Sequence, residues 1–224
     1  MTARYVAIVR RDVRLMAARG SEALATLFFF ATVACLFAIS MSSNEGLMAV
    51  AAPGILWISA LLAGLLALDA VYVRDFEDGT FDLLLMSPLL PAGIMGAKML
   101  SHWLLSGLGL VLASLVVAPM IKVPTEFVGV LSASLLLGTL YMSLLGGVGA
   151  ALTLGARRSG LLLAVLILPL LLPMLILGVL AAEAALAGMP YTSYLLLQLA
   201  MVIAATGLAP VASAAFLNMH LRSP

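Results

Sequence analysis

Six uninterrupted runs without an acidic or basic side chain dominate this chain: residues 23–44, 46–68, 99–121, 127–156, 159–182 and 184–221 (histidines aside). Each exceeds the roughly 20 residues that a helix needs to cross a hydrocarbon core. A backbone surrounded by lipid must satisfy its own N–H and C=O groups, which leaves helices or a closed β-barrel. Barrel strands would alternate in polarity over about ten residues, whereas these runs are continuously apolar. The chain is 64% hydrophobic and 9% charged, with a mean hydropathy of +1.23. So few charges could not solvate the surface of a soluble domain of this size. The expected fold is therefore all-α: one polytopic domain over 1–224 with six transmembrane helices. The last run is too long for one helix and contains Gly188-Met189-Pro190. A break is expected there, with the sixth span starting near Thr192 and 183–191 forming either a plain loop or a re-entrant element.

The basic residues orient the bundle. Arg4, Arg10, Arg11, Arg14 and Arg19 precede the first run, Arg74 and Lys98 flank the segment after the second, Arg157 and Arg158 follow the fourth, and Arg222 follows the sixth. Only Lys122 lies on the other side, with the acids Glu45, Glu126 and Glu183. Ten cations against one is a positive-inside pattern that puts both termini in the cytoplasm. In helical projection, Arg4, Arg10, Arg11 and Arg14 fall on one side of the N-terminal segment, and Tyr5, Val6, Val9, Val13 and Met16 on the other. An amphipathic helix over 2–19 lying on the inner membrane surface is expected, with Gly20 permitting the turn into the first span. Five arginines and no convincing cleavage site argue against a signal peptide, so the first span is expected to be retained as an anchor.

Candidate chemistry within the spans is sparse. Cys35, the single cysteine, sits in an apolar run and is read as a packing residue. His102 beside Trp103 is read as an interfacial anchor near the start of the third span; the competing reading is a haem or metal ligand. His220 lies in the C-terminal tail. Asp69 ends the second span, where it is either hydrated beside Arg74 or part of a transport path. No other ionisable group is expected deep in a span, which disfavours an ion-coupled carrier. No internal repeat supports an inverted-repeat transporter. Pro169 and Pro173 are expected to kink the fifth span, and Gly146 with Ala150 forms a small-xxx-small pair suited to close helix approach. The chain has no phosphate-binding loop, His-Glu-x-x-His or Gly-x-Ser-x-Gly motif, so neither ATP hydrolysis nor an intramembrane enzyme is expected.

The remaining charge is concentrated between the second and third runs. Tyr72–Pro88 holds Asp75, Glu77, Asp78 and Asp82, four of the ten acids. Asp75 and Asp78 could pair with basic residues on a partner. Gly79 permits a turn, Thr80 could cap the following helix, and Phe81 with 83–86 offers an apolar knob. An ordinary solvated acidic loop would have the same composition, and the residues alone leave both readings open.

The pattern Tyr72-x-x-Asp75-x-x-Asp78-Gly79-Thr80-Phe81 resembles the Phe-x-x-Asp-x-x-Asp-Gly-Ser-Leu signature of the haem exporter protein B family. Asp82-Leu-Leu-Leu-Met-Ser-Pro88, Ala97-Lys98, His102-Trp103 and Arg10-Arg11-Asp12 are similar to that family too, and the likeness extends over essentially the whole chain. Tyr72, Thr80 and Phe81 depart from the signature conservatively. The arrangement also resembles ABC-2-type permeases generally, which handle lipid, glycan or drug cargo; a non-transporting assembly scaffold is the rival from another class.

The resemblance implies a permease subunit of the bacterial inner-membrane complex for cytochrome c maturation. It implies that 73–93 is a cytoplasmic coupling loop docking an ABC ATPase subunit through Tyr72, Asp75, Glu77, Asp78, Gly79, Thr80, Phe81 and Asp82. ATP would be hydrolysed on that partner, coupled to haem export or to release of a haem-loaded chaperone. Further implied partners are a haem-handling membrane subunit, a small membrane subunit and the haem chaperone, with two copies of this chain. This subunit itself is expected to hold no cofactor, with His102 a weak haem candidate. Topology is directly testable: a reporter fused after Pro224, or inserted near Arg157, should read as cytoplasmic, and one near Lys122 as periplasmic. A periplasmic C-terminus would contradict six spans.

Overall fold

The computed structural model describes all residues except 1, 19, 42, 44, 69, 122, 155, 157, 158, 223 and 224. Arg19, Asp69, Lys122, Arg157 and Arg158 thus lie outside the described residues, as do the side chains of Glu45, Glu126, His220 and Arg222. The described residues are helical almost throughout. In chain order they form α1 (Thr2–Ala18), α2 (Gly20–Met41), α3 (Glu45–Leu68), α4 (Ala70–Glu77), α5 (Thr80–Leu85) and α6 (Pro91–His102). After a π-helical turn, Trp103–Gly107, come α7 (Leu108–Met120), α8 (Thr125–Leu152), α9 (Ser159–Leu186) and α10 (Thr192–Arg222).

Among the described residues, six stretches are long and apolar enough to cross a membrane: Ala23–Met41, Gly46–Glu77, Pro91–Met120, Phe127–Leu152, Gly160–Leu186 and Thr192–Met219. Two boundaries differ from the sequence expectation. The second span continues through α4, and the third starts at Pro91, eight residues before the uncharged run at Met99. The run was delimited by Lys98, but a proline at the first helical position starts the helix earlier. Within 73–93, only 78–79 and 86–90 are non-helical. The connection after α9 is a plain turn. Helix α9 includes Glu183 and runs to Leu186, and Gly188 takes φ 66°. The Met189 and Gly188 N–H groups donate to the Ala184 and Ala185 carbonyls, closing the helix end in a Schellman pattern. Pro169 and Pro173 both lie inside the continuous α9.

Helix α8 is the centre of the bundle, packing against α3, α4, α6, α7, α9 and α10. One apolar cluster, built on Phe30, Leu56, Trp57, Leu110, Leu135 and Met174, fills one half. A second, built on Leu68, Tyr72, Phe81, Met95, Ile167 and Leu217, fills the other. Since Leu217 near the end of α10 packs in the cluster that holds Tyr72 and Phe81, and α1 packs on α6, both ends of the chain gather with α4 and α5 at one end of the bundle.

Close approach is achieved by setting large side chains against bare backbone. Leu68 of α3 lies over Gly146 of α8, and Met142 of α8 over Gly64 of α3. Trp57 is held between Gly138 of α8 and Gly178 of α9, where a Cβ on either glycine would run into the indole. Gly138→Val and Gly178→Val should each cost about 1–3 kcal/mol by overpacking. Gly129→Ala, which faces open space, should not. Chemical denaturation of the purified protein in detergent measures both, and an undisturbed Gly138→Val protein would contradict this packing.

Candidate coupling site

Helix α1 does not lie loose at the bundle's edge. Ile8 is buried against Ile94 and Ala97 of α6, with Tyr5, Val9, Leu84 and Leu89 around them. The Tyr5 ring lies over Gly93, and its hydroxyl accepts the Leu90 N–H at 3.2 Å. Much of the face expected to meet lipid therefore meets protein, although Val6 stays 63% exposed. Arg4, Arg10 and Arg14 are exposed as expected. Arg11 is not part of that free basic surface, because its guanidinium turns into the bundle.

There it enters a closed ring of four charges. Arg11 Nε lies 3.1 Å from Asp12 Oδ1, and Asp12 Oδ2 accepts from Lys98 Nζ at 3.1 Å. Lys98 Nζ also donates to Asp75 Oδ2, and Asp75 Oδ1 accepts from Arg11 Nη2 at 3.3 Å. Signs alternate, each carboxylate uses both oxygens, and the net charge is zero. The Lys98 side chain is 3% exposed and Asp12 9%, so two of the four charges are almost wholly withdrawn from water. Desolvation at such a site is tolerable only with complete pairing. The Lys98 ammonium also sits 5.3 Å from the Phe81 ring centroid, close enough for a cation–π contact. One side chain thereby touches α1, α4 and α5 from its seat on α6.

The hairpin α4–α5 divides the signature residues into two sets. The Asp78 N–H bonds the Arg74 carbonyl, the Gly79 N–H bonds that of Phe76, and Gly79 turns at φ 69°. Only glycine takes that left-handed conformation without steric cost. Gly79 is also the N-cap of α5, without a side-chain bond, so Thr80 is the first helical residue and not the expected cap. Phe81 corrects a second expectation. It is 1% exposed and packs edge-on against Tyr72, 0% exposed, with centroids 5.7 Å apart and planes at 78°. The Gly79 turn folds the ring back onto the chain's own core, so neither aromatic is an outward knob. Asp75 likewise pairs within the ring of charges, its side chain 22% exposed. The outward set is Glu77, Asp78 and Asp82 with Leu83 and Met86, the last two 72% and 84% exposed.

His102 corrects a third expectation. The early start of α6 puts it three turns inside that helix, where it is buried, with Nδ1 2.9 Å from Ser143 Oγ of α8. The neighbouring Trp103 indole donates to Thr139 Oγ1 at 3.2 Å. Between the ring and His102 lies a cavity of 440 Å³, lined among others by Thr26, Arg74, Asp75, Lys98, Ser101 and His102. Among the described residues, no group of three or more His, Cys, Asp or Glu could hold a metal ion.

The sequence reading missed Asp12 and Lys98 as partners. One signal was present: Asp12 projects among Tyr5, Ile8 and Val9, a charge on the apolar face of an amphipathic helix. Lys98→Met would leave two carboxylates sharing Arg11. A loss of about 3–5 kcal/mol is expected, seen as a sharp fall in folded protein in the membrane. The exposed Arg14→Met should change stability by no more than about 0.5 kcal/mol. A Lys98→Met protein as stable as the unaltered chain would show that the ring carries no load.

Comparison with known proteins places this architecture. The family model described as CcmB protein matches residues 3–220. The chain is 44% identical over 214 residues to heme exporter protein B of Pseudomonas aeruginosa, covering 96% of each chain. It is 43% identical over 216 residues to heme exporter protein B of Paracoccus denitrificans, covering 96% of this chain and 99% of the relative. With the Escherichia coli K12 protein of the same name, identity is 38% over 216 residues, covering 96% and 98%. A match over nearly the full length, on a six-span all-helical bundle, settles the family: the chain belongs to the CcmB protein family, the membrane permease subunits of the cytochrome c maturation ABC system.

Proposed function

We propose that the α4–α5 hairpin is the element through which this permease engages its ATPase, at the cytoplasmic face of the bacterial inner membrane. The observation that carries this reading is the division of the signature. Tyr72, Asp75 and Phe81 anchor the hairpin from within, while Glu77, Asp78, Asp82, Leu83 and Met86 stand outward on it. An exposed apolar pair beside three carboxylates suits a partner groove rimmed by basic side chains. Gly79 and Thr80 set the angle between the two faces. The cytoplasmic placement is supported by the ten-to-one distribution of cations.

Hydrolysis on the partner would shift the hairpin and repack the bundle to drive haem export or release of the haem-loaded chaperone. The chain would work within an assembly of an ATPase pair, two copies of itself, a haem-handling membrane subunit, a small membrane subunit and the haem chaperone. Haem would be handled by the complex as a whole.

Asp78→Lys with Asp82→Lys should release the ATPase while abundance in the membrane stays unchanged. These side chains are exposed, and like-charge juxtaposition across an interface costs several kcal/mol, so co-purification should fall at least about tenfold. Leu83→Ala with Met86→Ala should weaken docking as well. Phe81→Ala should instead lower the amount of folded permease. Normal ATPase recovery from the double charge reversal would refute docking at this hairpin.

A further inference from the structure

The docking reading leaves open how force on a short hairpin reaches the rest of the permease. Backbone continuity links the α4–α5 hairpin to α3 through α4 and to α6 through 86–90. Helix α1 has no covalent neighbour there, since it continues into α2. Yet Lys98 joins α1, α4 and α6 in one buried cluster, and Phe81 of α5 packs under the same ammonium. The contacts are long-range, 86 residues for Lys98 to Asp12 and 64 for Arg11 to Asp75.

Buried, fully paired charges resist separation more strongly than apolar contacts, which slide. Breaking the links of Lys98 strands a charge away from water, because its side chain is 3% exposed and that of Asp12 9%. The apolar seat of Tyr5 and Ile8 on α6 fixes the same helix from its other end. We propose that Lys98 is the positioning residue of the coupling machinery: shared between Asp12 and Asp75, its ammonium makes α1, the hairpin and the start of α6 one rigid body. This rests on the hairpin being the docking element. A displacement of the hairpin is then delivered to α1, and through α1 to the first span, which the hairpin itself barely touches. Arg11 closes the ring but contributes less, because its side chain is 40% exposed and its attraction is screened by water.

The test uses the assembled complex with its ATPase in lipid nanodiscs, with Cys35→Ser as background. Spin labels go at three positions: Val6 on α1, Pro88 after the hairpin, and Met189 in the turn at the opposite end, all exposed. Nucleotide should change both the Val6–Met189 and Pro88–Met189 distances and leave Val6–Pro88 constant. The variant Asp12→Asn with Lys98→Gln removes both buried partners together, so no buried charge is orphaned, and Asp75 keeps Arg11. In that variant the ATPase should still co-purify and Pro88–Met189 should still respond, but Val6–Met189 should not, and cytochrome c assembly should fall at least tenfold. Asp12→Glu alone, which keeps a carboxylate opposite the intact Lys98, should retain the α1 response. A nucleotide-dependent change in Val6–Pro88 in the unaltered complex, which needs no variant to fold, overturns the proposal, as does an undiminished α1 response in the double variant. No nucleotide response at Pro88 in the unaltered complex would instead refute the docking reading and this inference with it.

Discussion

The Lys98 ammonium is the point on which one end of this molecule is organised. Placed two turns into α6, it is only 3% exposed. A cation there needs two carboxylates held at hydrogen-bonding distance, and the chain supplies them from helices that are distant in sequence. Those carboxylates in turn take Arg11, which balances the charge. Helix α1 therefore has to lie where Asp12 reaches Lys98, and α4 has to continue the second span far enough for Asp75 to do so. The amphipathic helix is positioned by this ring and by the Tyr5–Ile8 seat on α6.

The same constraint explains how a short signature carries two roles. Tyr72 and Asp75 lie three residues apart, on one face of α4, and both turn inward. Glu77 falls on the other side, and Asp78, just past the end of α4, is exposed. A continuous helix would have carried Phe81 away from the core. The left-handed Gly79 reverses the chain so that the ring packs beneath Lys98 and against Tyr72. The hairpin is consequently stiff on its inner face and available on its outer one, which suits an element that receives force.

In the spans the balance is different. Apolar side chains gain little by meeting one another rather than lipid, so shape decides which helices touch. The large-on-glycine contacts of Trp57, Leu68 and Met142 provide that shape. Polar side chains such as Ser143 and Thr139 of α8 add directional bonds to His102 and Trp103 at the π turn. Turns of that kind often mark functional positions in helices, and this one borders the cavity beneath the ring of charges.

The six spans, the all-α class and the segment that carries the signature were legible from the sequence, because lipid imposes length, apolarity and backbone self-satisfaction residue by residue. Those constraints are local, so a linear reading captures them. Which way each signature side chain points was not legible. Phe81 and Glu77 look equally available in a linear reading, and Lys98 looks like an ordinary flanking cation at the edge of a run. Their fates depend on α1 folding back from 86 residues away and on Pro91 starting a helix ahead of the charge. Charge pairing is long-range and buries groups that hydropathy assigns to water, so only the tertiary structure could decide that Asp12, Asp75 and Lys98 form the interior of the candidate site while Asp78 and Asp82 stand at its surface.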